Sequence, residues 1–237
     1  MEQAELVEKL LEAAEMHVPF DGWGDETFVA ACRDADIDES FARLFLPQGG
    51  RDLAVEAHKK GDRDMVAAIA DMDLSALRFR DKIATAVILR LKCARDKESV
   101  RRATTLFALP PNAALGAKLI WGTCDAIWSA LGDPSRDYNW YSKRATLSGV
   151  YGSTVLYWLG DTSDGDTATQ EFLDRRIDNV MQFEKVKGQI RKSPSLMKLL
   201  SGPRAILHRL TAPEGQTDLP GYITPHRKKT NDNDERN

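Results

Sequence analysis

Apolar residues recur at steps of three and four along most of the chain, which is the spacing of helices with one buried face. The clearest case is a single helical face between residues 140 and 158. Its members are Trp140, Arg144, Leu147, Tyr151, Thr154 and Trp158. This pattern predicts a helix that begins after Asp137 and ends near Leu159, and the rest of the chain is organised around it.

Small residues, Ala145, Gly149 and Gly152, occupy a line next to that face. Glycine disfavours a helix by about 1 kcal/mol relative to alanine. Two glycines in one helix therefore indicate that something lies close to its backbone, either a neighbouring helix or an elongated ligand. A core helix with a close crossing is the simpler interpretation.

Further helices are predicted on both sides of this one. They cover about residues 2–18, 26–35, 38–46, 51–72, 77–95, 98–109, 113–131 and a segment that begins at Thr167. Asp25 and Asn112 are candidate N-caps, and Thr167 with Gln170 forms a candidate capping box. Alternating patterns typical of strands are absent. The sequence therefore predicts an all-α fold.

Charge is distributed unevenly along the chain, although the net charge is only −3. Residues 1–50 hold twelve acidic and three basic side chains, a balance of −9, whereas residues 185–210 hold seven basic side chains and no acidic one. The two ends therefore face different electrostatic partners. The helix predicted at 38–46 carries Arg43 as its sole base, so its charge opposes binding to nucleic acid phosphates.

Residues 137–145 read DYNWYSKRA and resemble the D-x-N-W-Y-x-[RK]-R-A segment of the Coq-nine family of ubiquinone-biosynthesis accessory proteins. Supporting matches occur at residues 22–23, 109–112, 150–151, 161–163 and 172–177. The resemblance covers roughly residues 4–200. The chain departs from the family at Val155, where family members carry an acidic residue.

The resemblance implies a TetR-like helical bundle with a helix-turn-helix-like N-terminal head, and a homodimer formed through the last two body helices. It implies a non-enzymatic accessory protein without a cofactor, which binds an isoprenoid quinone precursor or phospholipid at the membrane and presents the precursor to a ubiquinone-pathway hydroxylase. By matching position, the hydroxylase would contact Asp137, Trp140, Tyr141 and Arg144. The alternative is a structural Trp140, with Arg144 paired to Asp137 or Asp133.

An apolar lipid channel is expected along the central helix and the one that follows it. Its predicted lining is Leu147, Val150, Tyr151, Thr154, Trp158, Phe172, Ile177 and Met181. A ligand-sensing transcription regulator of the TetR type would share such a pocket but would need a basic head, and a scaffold without any ligand is a third interpretation.

The segment from Ser195 combines an apolar stripe with flanking cations, which is typical of a helix lying in a bilayer interface. The predicted membrane-contact residues are Leu196, Lys198, Leu199, Leu200, Arg204, Ile206, Leu207 and Leu210. Docking of this helix on the body or on a second copy is the alternative.

The predicted domains are a head at 1–50, a lipid-binding and dimerisation body at 51–192, an amphipathic helix at 193–210 and a disordered tail at 211–237.

The sequence contains little that indicates catalysis. None of the four histidines follows an acidic residue by three positions, as di-iron bundles require, and no nucleophile elbow, Walker loop or dinucleotide fingerprint occurs. A cysteine nucleophile paired with a histidine remains open. Cys32, Cys93 and Cys124 are scattered, which indicates neither disulfides nor a zinc site. Without a transmembrane-length run or an evident signal or transit peptide, a bacterial cytoplasmic protein peripheral to the inner membrane is expected.

Overall fold

The computed structural model describes residues 2–94 and 96–191, with the backbone alone for 183–191. This part of the chain is all-α, as predicted, and contains no strand. Its helices are α1 Gln3–Ala14, α2 Val18–Asp21, α3 Asp25–Asp34, α4 Glu39–Phe45, α5 Gly50–Ala70, α6 Phe79–Lys92, α7 Lys97–Ala108, α8 Ala113–Ala130, α9 Tyr138–Gly160 and α10 Thr167–Arg191.

The predicted central helix is α9, and its predicted face is confirmed. Asp137 caps its start, because a carboxylate oxygen accepts a hydrogen bond from the backbone N–H of Asn139 at 3.0 Å. Every member of the predicted face except the half-buried Trp140 is buried. Helix α9 packs mainly on α8 and α10, so it lies at the centre of the body.

Of the two predicted N-caps, Asp25 is wrong, whereas Asn112 does occupy the N-cap position of α8 but without a capping bond from its side chain. Asp25 lies inside α3 and makes an ion pair with Arg43 at 3.0 Å. The side chain of Asn112 makes no cap bond and instead donates to the carbonyl of Leu106 at 3.1 Å. Both side chains therefore tie neighbouring segments together rather than satisfying the free N–H groups of a helix start.

The capping box predicted at the start of α10 is also wrong. Asp161 takes that role, because its carboxylate accepts hydrogen bonds from the backbone N–H groups of Ser163 and Thr169, both at 2.8 Å, and from the Thr169 hydroxyl. These bonds hold the pKa of Asp161 well below its usual range. The Asp161-Thr162-Ser163 match therefore marks a turn that fixes the start of α10 against the end of α9.

Buried apolar residues form two clusters. The first joins α1, α3, α4 and the start of α5 around Leu10, Phe28 and Leu53. The second joins α5, α6, α8, α9 and α10, with Trp128 and Tyr151 among its largest members. Because α5 contributes to both clusters, it links the acidic head to the body. The predicted domain limits stay a prediction.

None of the helices in the described ranges combines the length and the apolar character needed to cross a bilayer. The predicted membrane-contact helix and tail, at residues 193–237, lie outside the described residues.

Candidate functional site

A cavity of about 520 Å³ lies between the head and the body. Helices α1, α5, α6, α7, α8 and α9 all contribute to its wall. Large apolar side chains in that wall include Leu11, Leu91, Val100, Phe107, Ile120 and Val155. A mostly apolar space of this size with a few polar groups has the character of a small-molecule site.

Glycines on α8 and α9 shape the cavity in different ways. A Cβ at Gly116 would lie 2.8 Å from the Cβ of Phe107, so this glycine permits the close packing of α7 on α8. A Cβ at Gly152 would meet only the Cδ1 of Ile120, at 4.0 Å, so Gly152 leaves open space in the cavity wall. A Cβ at Gly149 would meet nothing within 4 Å among the described residues. The predicted close approach therefore does not occur at Gly149.

The predicted channel is largely displaced from the observed cavity. Only Tyr151 and Trp158 of its eight predicted residues line the cavity. The others are accounted for by packing or exposure: Leu147, Val150 and Ile177 are in the body core, Thr154 donates to the carbonyl of Val150, Phe172 stacks on Tyr157, and Met181 is exposed. These six residues lie away from the cavity because the buried face of α9 packs partly on helices, and their role in lipid binding stays a prediction.

Helix α7 supplies lining residues that the sequence interpretation missed. Its apolar positions Val100, Ala103 and Phe107 recur at steps of three and four and face the cavity. None of its residues is fully buried, in contrast to those of α8 and α9. The amphipathic pattern of α7 was the signal available in the sequence. Its apolar face borders the cavity instead of packing into the hydrophobic core.

A polar cluster forms one part of the cavity wall. Arg90 donates from Nε to the Asp62 carboxylate at 2.6 Å and from Nη2 to the carbonyl of His58 at 3.0 Å. The Thr123 hydroxyl donates to Asp62 at 2.8 Å and lies 2.8 Å from Nε2 of His58. Arg90, His58 and Tyr151 line the cavity, whereas Asp62 and Thr123 support them from behind.

Burial controls the protonation of this cluster. Burial, together with the nearby positive charge of Arg90, lowers the pKa of His58 to about 4. Burial also raises the pKa of Tyr151. Both side chains are therefore uncharged at neutral pH, and the charge of Arg90 is matched by Asp62.

Three aromatic rings form a second feature, on the outer side of α8 and α9. The Trp140 ring centroid lies 6.0 Å from that of Trp121 and 4.8 Å from that of Tyr141. All three rings are half-buried. We refer to these three residues as the aromatic patch.

Arg144 does not belong to the exposed surface, contrary to its predicted role in partner binding. Only 2% of the residue is exposed. Its Nε donates to Asp125 at 2.6 Å, its Nη1 donates to Asp133 at 3.2 Å, and its guanidinium lies 4.0 Å from the Trp140 ring centroid. Arg144 therefore holds the Trp140 ring in place from below, and the exposed Asp137 caps α9.

Asp133 anchors this network from a nearly inaccessible position, since 1% of its side chain is exposed. Burial alone would raise its pKa, but hydrogen bonds from Lys143, Ser135 and Arg144 hold the pKa of Asp133 below its usual value. The alternative interpretation, which paired Arg144 with Asp133, is confirmed.

The cysteines are poor nucleophiles. Burial raises the pKa of Cys32 and of Cys124 to about 11, and it also raises the pKa of Cys93. The thiolate form that attacks substrates is therefore scarce at neutral pH. In the described parts of the chain, no group of three histidine, cysteine or acidic side chains is arranged to hold a metal ion.

The head offers little positive charge to DNA. Arg43, the sole base of α4, donates to Glu39 at 2.8 Å and to Asp25 at 3.0 Å. Its charge is therefore already matched by carboxylates within the head. Binding to a phosphate backbone depends on cations that can neutralise it, so this geometry disfavours the transcription-regulator alternative.

Comparison with known proteins finds sequence similarity to COQ9 proteins. A sequence model of the COQ9 family matches residues 113–184, from the start of α8 into α10. The chain is 29% identical to the probable ubiquinone biosynthesis protein coq9, mitochondrial, of Dictyostelium discoideum over 80% of this chain and 64% of that protein. It is 28% identical to ubiquinone biosynthesis protein COQ9-A of Xenopus laevis and 26% identical to COQ9 of Homo sapiens, in each case over 88% of this chain and 68% of the relative. The chain thus spans less than two thirds of the Dictyostelium relative.

The fold also has a match among solved structures. The TetR transcriptional regulator from Nitrosomonas europaea superposes with a TM-score of 0.61 at 14% identity, over 73% of this chain and 97% of that one. At this identity the likeness concerns the fold alone. The predicted TetR-like architecture is confirmed.

The predicted bacterial cytoplasmic location is wrong, because the relatives from Dictyostelium, Xenopus and human are all named as mitochondrial proteins. The predicted family resemblance, in contrast, is confirmed by the family model and by these relatives together. The chain is similar to COQ9 proteins, with a family-model match over residues 113–184, and it has an all-α, TetR-like fold.

Proposed function

We propose that this chain is a non-enzymatic lipid-binding protein of ubiquinone biosynthesis, which shelters an isoprenoid quinone precursor and presents it to a hydroxylase. The observation that carries the proposal is the apolar cavity of about 520 Å³ between head and body. The names of the relatives supply the pathway.

The cavity suits the physical problem that such a precursor poses. Exposing an apolar tail to water costs about 0.8 kcal/mol per CH₂ group. Side chains such as Leu91, Phe107 and Ile120 offer the tail an apolar surface inside the protein. The chemistry on the head group would then be carried out by the partner enzyme, for which this chain supplies a protected substrate.

Filling the cavity should abolish lipid binding. Gly152→Leu places a branched side chain in the open wall, and we expect the amount of lipid that co-purifies with the protein to fall at least tenfold. Gly149→Leu is the matched control, because the same substitution one turn earlier on α9 meets open space outside the cavity. Mass spectrometry of organic extracts measures both variants. Equal lipid content in the two would contradict the cavity assignment.

The aromatic patch is the proposed docking surface for the hydroxylase. Trp and Tyr are enriched among residues that dominate binding energy at interfaces. Asp137 lies next to the patch at the start of α9, and Arg144 supports it from the interior.

The homodimer is proposed to form through α9 and α10, where Leu156 and Tyr157 are exposed. Membrane contact is proposed for the basic segment beyond the described residues.

Removal of the Trp140 ring should weaken hydroxylase binding at least tenfold, because Trp140 contacts both of the other rings in the patch. Trp140→Ala should leave the lipid content unchanged, since Trp140 does not line the cavity. Phe20→Ala is a suitable control, because Phe20 is an aromatic residue that is 79% exposed on α2. Surface plasmon resonance with the ubiquinone-pathway hydroxylase would measure the affinities, and an unchanged Trp140→Ala affinity would exclude the patch.

A further inference from the structure

Three polar side chains, two of them buried and one half-buried, lie on one stretch of a mostly apolar cavity wall. They come from three helices: His58 from α5, Arg90 from α6 and Tyr151 from α9. Arg90 is 6% exposed and Tyr151 is 4% exposed. Burying polar groups is costly unless they have partners, so their presence in the wall calls for a ligand or a structural explanation.

The Arg90 guanidinium is held in a defined position by close packing and hydrogen bonds. A Cβ at Gly61 would lie 2.6 Å from Nη1 of Arg90 and 2.8 Å from its Cζ, so the guanidinium lies directly against the backbone of α5. Asp62 and the His58 carbonyl accept two of its five N–H groups among the described residues. The guanidinium is thus held by two acceptors and by the backbone of α5, and Arg90 borders the cavity.

The charge of the cluster indicates what kind of group it would accept. Arg90 is paired with Asp62 at 2.6 Å, and His58 and Tyr151 are neutral near pH 7. An anionic head group would compete with the Asp62 carboxylate and add an unmatched charge in a buried position. A neutral oxygen acceptor would instead satisfy the remaining donors without adding charge.

We propose that Arg90, Tyr151 and His58 form a recognition site for an uncharged, oxygen-bearing ring, such as a phenol or quinone head group, at this part of the cavity wall. The inference rests on the proposed function, because it assumes that the cavity holds the lipid. It adds an orientation: the ring lies against α5, α6 and α9, and the isoprenoid tail extends along the apolar wall near α7 and α8. The Tyr151 hydroxyl can donate to the ring or accept from it.

The test compares two probes, a ubiquinone with a short isoprenoid tail and an isoprenoid hydrocarbon of the same tail length, whose affinities are read from quenching of tryptophan fluorescence. Wild-type protein should bind the quinone at least tenfold more tightly than the hydrocarbon. Tyr151→Phe, which removes only the hydroxyl, and Arg90→Lys, which removes the planar fork, should each weaken quinone binding about tenfold and leave hydrocarbon binding unchanged. Tyr157→Phe, on the exposed side of α9, should change neither affinity.

The outcomes separate this inference from the proposal it rests on. If both probes bind the wild type equally, or if Tyr151→Phe and Arg90→Lys weaken both probes to the same extent, the cavity binds tails and the head-group site is wrong. If phosphatidic acid displaces the quinone in an Arg90-dependent manner, the cluster recognises anions, which also overturns the inference. If neither probe binds the wild-type protein, the proposed lipid-binding function fails and the head-group site fails with it.

Discussion

Replacing Arg144 with methionine should lower the free energy of unfolding by about 3–5 kcal/mol, the typical cost of removing one partner of a buried ion pair. The substitution leaves the Asp133 carboxylate, with 1% of its side chain exposed, without one of its cationic partners. It also removes the guanidinium that lies under the Trp140 ring. Urea denaturation followed by circular dichroism would measure the change.

Asp125→Asn is the control for this prediction. Asp125 accepts from the same guanidinium, but 44% of its side chain is exposed, so solvent screens its interaction. Exposed ion pairs contribute about 0–1 kcal/mol, and we expect the Asp125→Asn variant to lie in that range. A loss below 1 kcal/mol for Arg144→Met itself would mean that Arg144 is not the buried support of the aromatic patch.

Acidification should destabilise the protein through His58 before the carboxylates with lowered pKa values titrate. The pKa of His58 falls from 6.5 to about 4 on folding, so the unfolded chain binds a proton that the folded chain does not bind between these values. The contribution is complete above pH 6.5 and is lost as the pH falls towards 4. At about 1.4 kcal/mol per pKa unit, the full loss is on the order of 3 kcal/mol.

His58→Gln should remove this dependence, because glutamine can still bond to the Thr123 hydroxyl but does not titrate. Between pH 6.5 and 5, the wild-type free energy of unfolding should fall by roughly 1.6 kcal/mol more than that of the variant. This window isolates His58 from Asp133 and Asp161, since the pKa of each lies below the usual value of 3.8. Parallel pH profiles for the wild type and His58→Gln would show that burial does not hold His58 neutral.

The helices could be predicted from sequence because their signals are local. The bounds of α9 agree with prediction to about one residue, since its apolar face and the Asp137 cap both lie within the helix or next to it. The cap of α10 could not be predicted in the same way. Asp161 reaches eight residues forward to Thr169 through the intervening turn, whereas Thr167 and Gln170 showed the more familiar short-range pattern.

The candidate site was harder to predict because periodicity identifies a buried face without showing what covers it. Leu147 and Tyr151 share a face of α9, yet Leu147 packs in the core and Tyr151 borders the cavity. The family resemblance implied a partner-binding role for Arg144, whereas the structure buries this side chain. Its partner Asp125 is nineteen residues away, so only the packing of α9 on α8 shows that this arginine is buried.

The measurement that tests the central claim most directly is mass spectrometry of lipid extracted from natively purified wild-type protein. The account predicts isoprenoid quinones or their precursors in the extract. A folded wild-type protein that carries no lipid, and binds none of these compounds when they are supplied, would contradict it.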